Sequence, residues 1–194
     1  RELTDDDGLT RVFEAHDGKT GRKIAIKELS PGPERTLGRN LITFFEKEAE
    51  LWERLQTYPG ANEHIARLYD YGNHRGIPWI AVEYMDGGSL RDQLTDIQTT
   101  WRMSQRLWLC IRSADALCFA HRHNTSHLDI KPANILFRKT KSGTVDVPVL
   151  SDWGLAQSGL SPASLRDYGF LTPAYAAPEQ HDPDRFGSQS QLTD

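Results

Sequence analysis

Cysteine is scarce in this chain: Cys110 and Cys118 are the two among 194 residues. They lie eight positions apart in a stretch that reads as helix, so their Cα atoms would stand about 12 Å apart along the axis, too far for a disulfide. They are expected to be buried, reduced thiols, in keeping with a cytoplasmic home. Long apolar runs are missing too. No stretch approaches the roughly 20 residues a membrane span needs. Positive charge is not in excess: 23 Lys and Arg face 27 Asp and Glu, a formal net charge of -4. Without a dominant basic patch, nucleic acid is not expected as the main partner. There is no internal repeat, no low-complexity tract and no signal-peptide pattern. The opening Arg1 reads as a cut inside a longer chain, which leaves room for a targeting, sensor or membrane segment outside it. What is present suits a folded core, with 38% hydrophobic and 26% charged residues.

The first ninety residues read as strands with one helix. Strands are expected at Arg11 to His16 and Lys23 to Leu29, joined by the turn Asp17-Gly18-Lys19-Thr20-Gly21. Leu41, Phe44, Phe45, Leu51, Trp52 and Leu55 then recur at helical spacing until Pro59-Gly60. Two more strands are expected at Ala66 to Tyr71 and Trp79 to Tyr84. After Asp86-Gly87-Gly88 the character changes. Ser89 can cap a short helix through Leu94. A longer helix is expected from Trp101 to His123, with Leu107, Ile111, Ala114, Leu117 and His121 on one face. Strands follow at Ile135 to Arg138 and Val147 to Leu150, and the last forty residues are loop-rich. Gly87-Gly88 is the natural hinge between a mostly β part and a mostly α part.

Chemistry concentrates in His127-Leu128-Asp129-Ile130-Lys131-Pro132-Ala133-Asn134, a polar loop between a helix and a strand. A carboxylate, a lysine two residues on and an amide five residues on form the set that phosphoryl transfer needs. The carboxylate orients a hydroxyl and accepts its proton, the cation neutralises the moving phosphoryl group, and an amide oxygen can hold a metal. Glu48 sits on the apolar stripe of the first helix, beside Phe44, Leu51 and Trp52. A buried carboxylate there needs a partner, and Lys27 in an alternating strand can supply it.

These stretches resemble the protein kinase family. The loop resembles the kinase catalytic loop, H-R-D-L-K-P-x-N. The resemblance implies Asp129 as catalytic base, Lys131 as the γ-phosphate contact and Asn134 as a Mg²⁺ ligand. Lys131 at this place resembles Ser/Thr kinases. Ser151-Asp152-Trp153-Gly154 resembles the D-F-G step, with Asp152 as the second Mg²⁺ ligand. Ala25-Ile26-Lys27 with Glu48 resembles the lysine that holds the α- and β-phosphates and the glutamate that positions it. Ala81 to Leu90 resembles the kinase hinge: backbone groups of Glu83 and Met85 would bond the adenine edge and Val82 would stand at the back. Val12 and Ala25 would cover one face of adenine and Leu136 the other. Thr172 to Glu179 resembles the end of an activation segment, which implies a protein substrate. Thr172 would bond the catalytic loop and Glu179 would anchor the segment. Ser158, Ser161, Ser164 and Tyr168 are candidate phosphate acceptors, including for self-phosphorylation.

The implied fold is α+β and bilobal: residues 1–84 as a five-stranded antiparallel N-lobe with one long helix, and residues 85–194 as an incomplete, mainly helical C-lobe. The implied cofactors are ATP and Mg²⁺, and the implied reaction is transfer of the γ-phosphate to a Ser/Thr hydroxyl of a protein. Two departures matter. Leu128 replaces the usual Arg that receives an activation-loop phosphate. Asp5, Asp7 and Thr10 stand where the family's phosphate-loop glycines fall, with only Gly8 nearby. A carboxylate ~6 Å from a phosphate costs about 3 kcal/mol at an effective dielectric near 20. A rival reading is therefore a pseudokinase used as a binding or scaffold module; a small-molecule kinase is a third. Asp194 resembles the residue that opens the large C-lobe helix, so the chain is expected to lack the base that ties the catalytic loop and to expose apolar surface.

Overall fold

A computed structural model describes residues 2–3, 10–30, 38–96, 100–140, 146–153 and 172–194. Asp5 to Gly8, Gly154, Ser158, Ser161, Ser164 and Tyr168 lie outside the described residues.

The first part is an antiparallel sheet of five strands in the order β1-β2-β3-β5-β4. The strands are β1 (Glu2–Leu3), β2 (Thr10–His16), β3 (Lys23–Leu29), β4 (Leu68–His74) and β5 (Ile77–Glu83). Lys27 sits mid-sheet, opposite Val12 on β2 and Ile80 on β5, and Ala25 lies opposite Val82. Because side chains alternate along a strand, Ala25 and Lys27 share one face. Helix α1 (Arg39–Gln56) lies on the sheet through the stripe legible in the sequence: Leu41, Phe44, Phe45, Leu51, Trp52 and Leu55 are all buried. Each such side chain contributes roughly 1.5–3 kcal/mol of burial. The buried Trp52 indole also donates to the Ala66 carbonyl at 2.7 Å, which fixes the chain direction after the short helix α2 (Ala61–His64).

The β4–β5 pair is displaced from the expected spans. It runs on through polar Asn73 and His74 and turns at Arg75-Gly76. Asn73 Oδ1 accepts the Gly76 N–H at 2.8 Å, so a side chain closes the hairpin and backbone pairing continues where the apolar pattern stops.

The second part begins with α3 (Leu90–Thr95). Ser89 and Asp92 cap it reciprocally: Asp92 N–H donates to Ser89 Oγ at 3.1 Å and Ser89 N–H to Asp92 Oδ2 at 2.9 Å. Helix α4 (Met103–Arg122) follows, then strands β6 (Ile135–Arg138) and β7 (Val147–Leu150), which form a two-stranded antiparallel sheet. Short helices α5 (Pro178–His181) and α6 (Pro183–Phe186) lie near the end.

Helix α4 overturns two expectations. Its buried residues are Ala116, Phe119 and Ala120, which face α2 and β7, while Leu107 and Ile111 are each 56% exposed. The inward stripe runs through Leu109, Arg112, Ser113 and Ala116, so polar residues occupy part of it. Apolar residues lie on both sides of this helix. Small Ala116 and Ala120 let the helix approach β7 closely, which selects the other face. Cys110 and Cys118 lie toward the outer side and are exposed, not buried. No helix among the described residues is long and apolar enough to cross a membrane.

Candidate active site

A cavity of about 480 Å³ opens between the sheet and the helical part. Val12, Ala25, Val82 and Leu136 give it apolar walls; Glu83 and Met85 form one edge; Lys27, Asn134 and Asp152 lie at its polar end. The proposed nucleotide residues thus arrive from β2, β3, β5 and the connection after it, and the β6–β7 pair.

At the polar end, Lys27 Nζ donates to Glu48 Oε1 at 3.1 Å and to Asp152 Oδ1 at 2.8 Å. Glu48 is only 3% exposed. Burial pushes its carboxyl up, and the Lys27 charge pulls the other way. Burial also works to raise the Asp152 carboxyl, but Lys27, with help from Lys131, outweighs it and holds the group below the usual range. Asp152 is held in the left-handed region, φ 60. Trp153 beside it is fully buried and packs its ring on His127, 4.6 Å between centroids.

The loop after α4 brings the second group together. Lys131 Nζ lies 2.9 Å from Asp129 Oδ2 and donates to Thr172 Oγ1 at 2.8 Å. Thr172 Oγ1 donates to Asp129 Oδ1 at 3.2 Å. Asn134 Nδ2 donates to the Asp129 carbonyl and to its Oδ2, both at 2.9 Å, which leaves the amide oxygen of Asn134 as its remaining group. His127 is buried and shapes the loop from below. Its Nε2 faces the Ser151 carbonyl at 2.9 Å, and its Nδ1 accepts the Asp129 N–H at 3.3 Å. Those partners require the tautomer with the proton on Nε2. Burial lowers its pKa.

Three residues of this neighbourhood carry more than the sequence assigned them. Asp194 accepts the backbone N–H groups of His127 at 2.7 Å and Leu128 at 2.6 Å, and it meets His121 Nε2 at 2.8 Å. The loop that begins at His127 is therefore tied by Asp194, contrary to the expectation that its anchor is lacking. Gln180 Nε2 donates to the Leu128 carbonyl at 2.8 Å, so Leu128, at φ 65, is held from both sides. Glu179 accepts from Thr193 Oγ1 at 2.7 Å. No periodicity marks such ties, because each joins loops far apart in sequence. Thr10, expected at a phosphate-loop position, is buried in β2, and Leu128 spends its backbone N–H on Asp194 and its carbonyl on Gln180.

With that geometry in view, the family is plain. The model of the protein kinase domain matches residues 8–191, and the chain belongs to that family. It is 34% identical over 191 residues to a probable serine/threonine-protein kinase, pknA2, of Bifidobacterium longum, covering 95% of this chain and 23% of that protein. It is 32% identical over 174 residues to serine/threonine-protein kinase PknJ of Mycobacterium tuberculosis, covering 89% of this chain and 28% of the relative. The receptor-like protein kinase ANXUR2 of Arabidopsis thaliana is 30% identical over 173 residues, covering 82% of this chain and 18% of that protein. The chain thus spans under a third of the length of these relatives.

Proposed function

We propose that this chain is the ATP-binding and catalytic region of a Ser/Thr protein kinase, with residues 1–84 and 85–194 as its two lobes. The observation that supports this most is the meeting of Lys27, Asn134 and Asp152 at the polar end of one cavity, with Glu48 bonded to Lys27, Asp129 to Asn134, and Lys131 to Asp129. The apolar walls from Val12, Ala25, Val82 and Leu136 suit a flat base. The Glu83 N–H is already given to the Arg67 carbonyl at 2.8 Å, so the adenine edge would meet the Glu83 carbonyl and backbone groups of Met85.

Asp152 and Asn134 offer one carboxylate and one amide oxygen. A sparse, oxygen-only set suits Mg²⁺, which keeps several waters and takes its other ligands from phosphate. The bound ion supplies charge neutralisation on the phosphates. Lys27, held by Glu48, would pair with the α- and β-phosphates. Lys131 would neutralise the γ-phosphate. Asp129 would orient a Ser or Thr hydroxyl and take its proton as the new O–P bond forms and the bond to the bridging β–γ oxygen breaks, releasing ADP. Thr172 would hold Asp129 and Lys131 in register. The protein itself is one candidate acceptor, and the cytoplasm, where ATP is at hand, is the compartment this reading requires.

The test is transfer of labelled γ-phosphate by the protein in its full natural length, beside Asp129→Asn. Label on Ser or Thr that falls by at least roughly 10²-fold in the variant is the expected result. Equal labelling would remove Asp129 from the role of base. A folded protein that binds nucleotide but transfers nothing would make this a binding module.

A further inference from the structure

Arg138 is the last residue of β6, four positions after Asn134, and the proposed chemistry has no use for it. Its guanidinium nevertheless makes four contacts. Nε and Nη2 grip the Glu83 carboxylate as a fork, at 2.6 and 2.7 Å. Nη1 donates to the Asn62 carbonyl at 2.7 Å and Nη2 to the Ile65 carbonyl at 3.3 Å. The pair is partly sheltered, with side-chain exposures of 25% for Arg138 and 17% for Glu83.

The fork joins two parts of the cavity. The β6–β7 pair carries the polar end, since Asn134 immediately precedes β6 and Ile135 pairs with Leu150, two residues before Asp152. The other part is the stretch from Glu83 to Gly88, which would meet the adenine edge. Backbone bonds already lace the two together: Gly87 N–H donates to the Phe137 carbonyl at 3.0 Å and Phe137 N–H to the Gly88 carbonyl at 2.9 Å. Those bonds hold Gly87 and Gly88, but not Glu83 at the start of the stretch. The Glu83 backbone is bonded to Arg67 and paired with Ile24 in the sheet, and the Arg138 fork ties that end to β6 as well. It also ties in the turn from α2 to β4, where Arg67 N–H donates to Glu83 Oε2 at 3.2 Å.

We infer that Arg138 is a positioning residue for nucleotide. Through its bidentate grip on Glu83 it sets the distance between the base-binding edge and the metal-binding end of the cavity. This rests on the kinase reading above. Such an interaction is the same in the ground and transition states, so its loss weakens nucleotide binding and leaves the chemical step alone. A lysine cannot replace it, because an ammonium is a point charge without the planar fork.

The test uses the full-length protein and the variants Arg138→Lys, Arg138→Gln and Glu83→Gln, with the KM for ATP and kcat from labelled transfer, the Kd for ADP from direct titration, and thermal unfolding. Arg138→Lys and Glu83→Gln are the milder changes and keep the test open if Arg138→Gln unfolds. The expected result is a rise of about tenfold in both KM for ATP and Kd for ADP for each variant, with kcat of the two Arg138 variants within about twofold of the unsubstituted protein. The double variant Arg138→Gln with Glu83→Gln should be no worse than the poorer single one, because both remove the same link. Unchanged KM and Kd in folded variants would overturn the inference, as would a fall in kcat alone. A change in unfolding temperature without a change in either constant would reduce Arg138 to a structural role. Failure of the kinase reading would look different: the unsubstituted protein would not transfer phosphate, while the ADP titration would still report on Arg138.

Discussion

Lys27 Nζ stands 2.8 Å from Asp152 Oδ1, a contact that joins residues 125 positions apart. The same ammonium reaches the buried Glu48, so one cation serves two carboxylates from different parts of the fold. Removing the Glu48 charge while keeping its shape should let Lys27 swing toward Asp152. Glu48→Gln is expected to lower kcat/KM for transfer by about 10–100-fold, the scale of a misplacement near 1 Å. Steady-state transfer assays check this. A variant as active as the unsubstituted protein would show that Glu48 merely fills space.

The Asp194 carboxylate holds two successive backbone N–H groups, those of His127 and Leu128, the second in the left-handed region. An amide keeps only one acceptor oxygen, so Asp194→Asn leaves at least one buried donor short. The expected loss is about 1–3 kcal/mol of stability, with a parallel loss of transfer. Chemical denaturation measures the first. Full stability in the variant would show that water replaces the lost acceptor.

Gly87 has no room for a side chain. A Cβ there would meet the Phe137 Cβ and carbonyl oxygen, both at 2.6 Å. Since one neighbour is backbone, the strand itself must move, and the bonds between Gly87, Gly88 and Phe137 must stretch. Gly87→Ala is expected to cost about 1–3 kcal/mol and to weaken ATP binding, read by thermal unfolding and nucleotide titration. A neutral outcome would mean that the stretch after β5 yields more easily than its packing implies.

His127 gives the protein a pH dependence whose sign can be worked out. Burial lowers its pKa in the folded protein from the ordinary value of 6.5. The unfolded chain therefore binds the proton first as pH falls. The resulting stability is present above 6.5 and is lost as pH drops through that value toward the lowered one. Thermal unfolding at pH 7.5 and pH 5.5 should show a smaller difference for His127→Gln than for the unsubstituted protein. An equal difference would shift the cause to other groups, such as His64, whose pKa burial also lowers.

Much of this was legible in the sequence, for physical reasons. The α1 stripe shows because one helical face is uniformly apolar, and Glu48 stood out as the single charge on it. The spacing from Asp129 to Asn134 is local, so the loop could be read without a fold. Ser89 and Asp92 declared a helix start because capping acts within one turn. The face of α4 was misread because apolar residues lie on both sides of that helix, and its contacts with α2 and β7 favour the side that includes Arg112 and Ser113.

The sequence by itself determined the longer elements and which groups are available for chemistry, because those depend on periodicity, turn residues and short spacings. Only the tertiary structure decided which groups meet. Lys27 with Asp152, Asp194 with the His127-Leu128 backbone, and Arg138 with Glu83 each join distant segments. Their pairing depends on how the sheet, α4 and the β6–β7 pair pack, and no local pattern encodes a distance across that packing.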